Sequence, residues 1–403
     1  MFGIMLSAIR RAIPGESAIP HSDYTVFISA GEASGDRLAA GLVRTLRADN
    51  PAWRICGVGS HAMQNAGFEL LLDITAVSTI GITESLRMLP FALAAIIRAR
   101  RLLRRVRPDI FIAVDSQGLN LILARFARRA GARVIYFIPP QNFLWNDRRH
   151  GLKTAARTDL FLNIYRKGHE FYTSLGARSV YCGHPLANTA QTGARKCRNQ
   201  DKKIVLAAGA RKSEIRRFIP LLAGAAHIVR MQFPNTIFIT PVIGRKHEER
   251  LTQDFRRHGI DIQAVNGEDI FADADAAIVK SGTMTLDAAL ACCPYTVFYK
   301  ISALSWFIMA KLWGIQKKLH SISIPNILSG KELAREFLQS DARPAQLAEE
   351  ILRFLYDKQK TARRIRALKA FRRSLLQERP APGDCYTIAS RAIAKFSSKK
   401  EGG

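Results

Sequence analysis

The chain has 403 residues, room for two or three domains at about 150 residues each. Hydrophobic residues make up 48% and charged residues 23%, which excludes wholesale disorder and lets a core form without disulfide or metal staples. Lys and Arg number 61 against 33 Asp and Glu, and the formal charge of +28 calls for a polyanionic partner: nucleic acid, an anionic membrane surface or phosphorylated substrates.

Residues 1–22 lack periodicity and read as a loose leader. Its apolar start is followed, not preceded, by Arg10 and Arg11, the reverse of a secretory signal. From Tyr24 strands and helices alternate. Strands are expected at 24–29, 55–58, 109–114 and 133–138, with helices at 37–47 and 119–129. The polar, basic stretch 191–203 reads as a linker. Beyond it, strands at 204–207, 236–240, 276–279 and 295–299 interleave with helices at 214–231 and 283–291. Short apolar runs separated by amphipathic helices indicate parallel βαβ units. The expected division is a Rossmann-like domain over 23–190, a second over 204–345, and basic C-terminal helices over 346–403. The longest apolar window, residues 301–310, stops at Lys311, short of the roughly 18 residues a membrane span needs. The cysteines Cys56, Cys182, Cys197, Cys292, Cys293 and Cys385 form no CxxC pair, so they read as reduced core thiols of a cytoplasmic protein.

Four strand-to-helix loops can carry chemistry. In 29–36 (SAGEASGD), Gly31, Ser34 and Gly35 let a ligand approach the backbone at a helix start, although a turn capped by Ser34 or Asp36 explains the pattern equally. Asp115 ends a buried strand, where an open α/β sheet binds ligands, and can serve as general base or merely cap the next helix. In 208–214 (AGARKSE), Arg211 can grip a diphosphate or be one more surface arginine. In 279–287 (VKSGTMTLD), Ser281, Gly282 and Thr283 offer N–H and hydroxyl groups to a phosphate, with Asp287 placed for a ribose hydroxyl. A fifth segment, 86–107, interleaves Arg98, Arg100, Arg101, Arg104, Arg105 and Arg107 with apolar residues. It suits either a helix lying on anionic lipid or a solvated face over a core helix. No helix-turn-helix, zinc or RNP signature supports nucleic-acid binding.

These loops, in this order, resemble lipid-A-disaccharide synthases. The likeness runs through SAGEASGD, GVGSHAMQNAG (57–67), IGITE (80–84), RPDIFIAVDS (107–116), YFIPPQNFLW (136–145), GHPLA (183–187), GARKSE, KSGTMTLD and SIPNILSGKEL (323–333). It implies a GT-B fold, two Rossmann-like domains facing a central cleft, and an inverting hexosyl transfer without metal or cofactor. The implied donor is UDP-2,3-diacylglucosamine and the acceptor 2,3-diacylglucosamine 1-phosphate (lipid X), giving a β-1,6-linked disaccharide 1-phosphate and UDP.

By resemblance, Asp115 and Glu32 are the catalytic carboxylates. Arg211, Gly209, Glu214, Ser281, Gly282, Thr283, Asp287 and Asn326 bind the UDP-sugar, and Gly31, Ser34, Gly35 and Asp36 form the acceptor loop. Arg98, Arg101, Arg104 and Arg105 contact the membrane, which makes the protein cytoplasmic and peripheral at the inner membrane, with no nucleic-acid partner. The long C-terminal helices can pack against a second copy. Three departures from the family pattern stand out. Ala208 and Ala210 replace Pro and Ser around Gly209, Gly118 replaces a second carboxylate beyond Asp115, and Asp287 replaces Glu. The alternatives are another GT-B transferase or epimerase acting on a different UDP-sugar, and a basic lipid- or nucleic-acid-binding protein.

Overall fold

Apolar runs such as TVFISA are buried along their whole length, as strands covered on both faces must be. The computed structural model describes residues 24–31, 33–73, 85–185, 201–209, 212–242, 244–265, 270–300, 321–377 and 383–398. The leader, nearly all of the linker, Glu32, Arg211 and the 301–310 window lie outside the described residues.

The first sheet contains β1 (Thr25–Ala30), β2 (Arg54–Gly59), β3 (Glu69–Asp73), β4 (Ile110–Val114), β5 (Arg133–Phe137), β6 (Leu160–Asn163) and β7 (Ser179–Tyr181). All pairs are parallel, in the order β3-β2-β1-β4-β5-β6-β7. Its helices are α1 (Ala33–Asp49), α2 (His61–Asn65), α3 (Ser85–Val106), α4 (Gln117–Arg129), α5 (Arg148–Ala155) and α6 (Arg166–Ser174). Ala99 and Leu103 of α3 and Leu123, Ala124 and Ala127 of α4 close over Phe27, Phe111 and Tyr136. The Phe27 and Phe111 rings stack at 6.0 Å and those of Phe161 and Tyr172 at 4.2 Å.

The second sheet runs β10-β9-β8-β11-β12-β13, again all parallel. It comprises β8 (Lys203–Ala207), β9 (Ile237–Pro241), β10 (Gln263–Val265), β11 (Ala276–Lys280), β12 (Tyr295–Tyr299) and β13 (Arg335–Leu338). Around it lie α7 (Lys212–Gln232), α8 (Arg245–Arg257), α9 (Met284–Leu290), α10 (Ile324–Ser329), α11 (Pro344–Tyr356) and α12 (Lys358–Gln377). Its core gathers Leu206, Phe218, Leu222, Phe238, Phe255, Phe298 and Ile351, all buried. Each fully buried Leu or Phe side chain contributes about 1.5–3 kcal/mol.

The C-terminal helices, expected as one block from 346, are divided. Helices α11 and α12 belong with the second sheet, whereas α13 (Cys385–Ser397) packs on the first. Tyr386 of α13 lies against Gly41 of α1, where any side chain would collide with its ring, and faces Phe137 at 6.3 Å. Ser390 Oγ donates to Asp49 Oδ2 at 2.6 Å, and the Arg133 guanidinium covers the Phe396 ring at 3.6 Å.

The described cysteines are buried thiols outside any disulfide, and burial pushes the thiols of Cys56 and Cys182 up to about 12. Among the described residues, no helix is long and apolar enough to cross a membrane.

Just beyond β7, His184 is 7% exposed and its ring lies 5.3 Å from that of Tyr165. Burial, with a smaller push from Arg37, lowers its pKa to about 3 from the ordinary 6.5. Between those values the unfolded chain holds a proton at this residue that the folded chain excludes. Stability contributed by neutral His184 is therefore complete above pH 6.5 and falls as the pH drops toward 3. The expected loss approaches about 1.4 kcal/mol per pH unit. Urea unfolding of the protein and of His184→Gln, at about pH 7 and about pH 5, measures it. Parallel losses in the two proteins would remove His184 as the source.

Candidate active site

In an open parallel sheet, loops diverge where the strand order reverses, leaving a crevice at the carboxyl ends of the strands. In the first sheet this point lies between β1 and β4, paired through Ser29–Ala113 and Ala30–Val114. The loops leaving these two strands are the first two motifs. A Cβ at Gly31 would overlap the Ser116 side chain, and one at Gly35 would lie 3.4 Å from Asp115 Cβ. Glycine at 31 lets the chain entering α1 close onto Ser116, and Gly35 packs beside Asp115.

Asp115 and Ser116 take left-handed backbone conformations, φ +50° and +41°. Such conformations cost of order 1–3 kcal/mol each and cluster at functional sites. Two side chains hold the strained turn. Tyr136 Oη donates to the Asp115 carbonyl at 2.8 Å, and Asn120 Nδ2 donates to the same oxygen at 2.9 Å and to the Val114 carbonyl at 2.9 Å. Asn120 also accepts from Ser29 Oγ at 2.7 Å and reaches the Ser29 carbonyl at 3.2 Å, so one buried carboxamide ties β1 to β4. The Asp115 side chain is half-buried, and Ser116, at the N-cap of α4, makes no side-chain cap.

Asp36, expected in the acceptor loop or as a cap of its own helix, is instead buried and caps a different one. It accepts from the Ser60 backbone N–H at 2.6 Å, the Ser60 hydroxyl and the Ala62 N–H at 3.2 Å, at the start of α2. Ser34 lies in the first turn of α1.

The second sheet reverses between β8 and β11. Gly209 follows β8 with φ +93°, and Ser281 and Gly282, the latter at φ +151°, follow β11. Glu214, in the first turn of α7, pairs with Lys280, the last residue of β11, at 2.9 Å between side chains 14% and 19% exposed. A Cβ at Gly209 would press on the Glu214 carboxylate at 2.5 Å. His247 of α8 bonds to the Gly209 backbone; burial pulls its pKa below the ordinary value, and that bond opposes the shift. Thr285 Oγ1 donates to the Gly282 carbonyl at 2.7 Å, Thr283 is exposed and Asp287 half-buried.

Ser281 Oγ donates to the Ile322 carbonyl at 2.9 Å, joining this loop to the segment that holds Asn326. Asn326, expected among the residues that bind the UDP-sugar, has its carboxamide spent inside that segment. Nδ2 donates to the Ala334 carbonyl at 2.7 Å and Glu336 Oε1 at 2.8 Å, while Oδ1 accepts from the N–H groups of Leu333 at 2.8 Å and Ala334 at 3.0 Å. Two donors and two lone pairs are the whole capacity of the group. Glu336 also accepts from the Ser321 hydroxyl and from the N–H groups of Ile322 at 2.8 Å and Ser323 at 2.9 Å.

Reading the sequence missed Asn120, Lys280 and Glu336 as site-building residues. For Asn120 a signal exists: with Leu123, Ala124 and Ala127 it forms the buried stripe of α4, and a lone carboxamide in such a stripe needs internal partners. On α3, Arg98 is half-buried and Arg100 sits 4.9 Å over the Phe126 ring, whereas Arg101, Arg104 and Arg105, and Arg107 just beyond the helix, are exposed. Leu93 and Ile97 are exposed on the same helix at 56% and 40%, as is Ile122 on the adjoining α4. Among the described residues, no three His, Cys, Asp or Glu side chains gather as a metal site would require.

Two open parallel sheets, each with its glycine-bearing loops at the switch point, define a GT-B fold, shared by glycosyltransferases and nucleotide-sugar epimerases. Solved structures agree. TcCGT1 in complex with UDP superposes with a TM-score of 0.60 at 12% identity, over 94% of this chain and 100% of that one. A UDP-N-acetylglucosamine 2-epimerase, so described as putative, from Listeria monocytogenes gives 0.59 at 12% identity, over 95% and 98%. At such identities the likeness speaks to fold alone.

Sequence comparison is narrower. A lipid-A-disaccharide synthetase family model matches residues 26–383. The lipid-A-disaccharide synthase of Trichlorobacter lovleyi is 33% identical over 343 residues, 82% of this chain and 88% of that one. The Nitrosococcus oceani enzyme is 30% identical over 390 residues, 94% and 97%. The chain belongs to the lipid-A-disaccharide synthetase family and is a glycosyltransferase.

Proposed function

We propose that the protein transfers 2,3-diacylglucosamine from UDP-2,3-diacylglucosamine to the 6-hydroxyl of 2,3-diacylglucosamine 1-phosphate, releasing UDP. The observation that carries the reading is Asp115, held in a strained left-handed turn at the switch point of the first sheet, with Gly35 beside it and Gly31 closed against the next residue, Ser116. Asp115 takes the proton of the acceptor hydroxyl as that oxygen attacks the anomeric carbon. The bond to the UDP β-phosphate oxygen breaks with inversion, and the diphosphate leaves as the anion. A single displacement needs one base on the acceptor side. Arg211 and the Ser281–Gly282–Thr283 loop bind the diphosphate, Asp287 takes a ribose hydroxyl, and Glu32 assists at the acceptor. Asn326 acts by holding its loop against Ser281.

Mass spectrometry of the products from synthetic donor and acceptor, in detergent, tests the reading, with a disaccharide 1-phosphate and equimolar UDP expected. No disaccharide under those conditions, or efficient use of a non-acylated UDP-sugar instead, would overturn it.

Acylated substrates reside in a bilayer, and the outward side of α3 offers Leu93 and Ile97 to acyl chains with Arg101, Arg104 and Arg105 for anionic headgroups. This reading makes the protein peripheral at the cytoplasmic face of the inner membrane. Sedimentation with phosphatidylglycerol-containing vesicles is expected to weaken with salt. It is expected to fall more than about tenfold in Leu93→Glu/Ile97→Glu, since two buried aliphatic side chains contribute about 3 kcal/mol or more. Equal binding to neutral vesicles, or by the variant, would move the contact elsewhere.

A further inference from the structure

The geometry points to Lys280 as a ligand of the donor's diphosphate, an assignment that rests on reading the second sheet's edge as the donor site. Lys280 ends β11, one of the two strands that flank the switch point, and its side chain runs toward the other strand's loop. A Cβ at Gly209 would lie 3.3 Å from Lys280 Cδ. At the far end of the side chain, a Cβ at Gly282 would lie 3.9 Å from Lys280 Nζ and have no other described atom within 4 Å. Among the described residues the ammonium is therefore the group that borders the space above Gly282, in the same Ser281–Gly282–Thr283 loop that the reading gives to the diphosphate.

An ammonium has three N–H donors. One goes to Glu214 at 2.9 Å, and the Tyr299 ring lies 6.0 Å from the nitrogen. Glu214 thus fixes the reach of a long flexible side chain before any ligand arrives, and the pair keeps the cation from standing alone in a site that is four-fifths covered. A diphosphate entering over Gly282 meets a positioned point charge, and the remaining donors turn toward its oxygens. Charge explains why a lysine, rather than an aliphatic residue, ends a strand whose preceding residues Ala276, Ala277, Ile278 and Val279 are apolar and buried.

Ligand-observed NMR titration of the full chain with UDP and with uridine tests the assignment. Lys280→Met is compared with Lys280→Met/Glu214→Gln, which leaves no lone buried carboxylate and so keeps the fold within reach. The expected result is UDP affinity weakened about tenfold in both variants, the scale of one charge-assisted hydrogen bond, with uridine affinity unchanged. UDP affinity equal to that of the unmodified protein in the double variant would overturn the assignment, and so would equal weakening of UDP and uridine, which marks a structural role. Failure of the unmodified protein to bind UDP would instead overturn the donor-site reading itself.

Discussion

Asp115→Asn is expected to lower kcat about a thousandfold while UDP affinity stays within about twofold, the signature of a lost general base. Asparagine matches aspartate in size but cannot take a proton. Tyr136 and Asn120 engage the backbone oxygen of residue 115, so they keep their bonds in the variant. Single-turnover product formation and calorimetric UDP binding read the two quantities separately. An active variant would place the base elsewhere. Gly118 is where the resemblance implies a second carboxylate that this chain lacks. That position lies in the first turn of α4 with nothing within 4 Å of a would-be Cβ, so an aspartate fits and favours the helix N-terminus. Adding Gly118→Asp to Asp115→Asn is expected to recover part of the lost turnover.

Asn120→Leu is expected to destabilise the first sheet by about 3–5 kcal/mol, a large part of the roughly 5–15 kcal/mol available to a domain. Leucine fills nearly the same volume but removes the carboxamide donor from the Ser29, Val114 and Asp115 carbonyls, the last of which keeps Tyr136, and takes the buried Ser29 hydroxyl's acceptor away. Urea unfolding gives the loss. Turnover by the folded fraction is expected to fall as well, since the left-handed turn at Asp115 loses one of its two side-chain clamps. A loss below about 1 kcal/mol would mean that water reaches these groups and the carboxamide is not the clamp described.

Much of this architecture is legible in local pattern. Expected strands at 24–29, 55–58, 109–114, 133–138, 204–207, 236–240, 276–279 and 295–299 match β1, β2, β4, β5, β8, β9, β11 and β12 to within a residue or two at either end. These are the long apolar runs of the sheet interiors. The unread strands β3, β7, β10 and β13 are short or lie at or near a sheet edge, where fewer positions need burial. β6 is four residues long. The reversal for Asp36 has a different cause. Its place in the first turn of α1 suggests a local cap, yet Ser60 and Ala62 are brought to it by the pairing of β2 with β1. Asn326 likewise sits in a recognisable motif, but its partners at 333, 334 and 336 become apparent only once the loop folds back on β13.

By itself the sequence determined that two parallel α/β units form, where their main strands lie, and which family's loops this chain carries, because hydrophobic period and short motifs are written in neighbouring residues. Tertiary structure alone decided that β1 adjoins β4 and β8 adjoins β11, which sets Gly31 beside Ser116 and Lys280 beside Glu214. Strand order is a choice among distant pairings, each settled by the burial of a whole sheet face and not by any short run of residues.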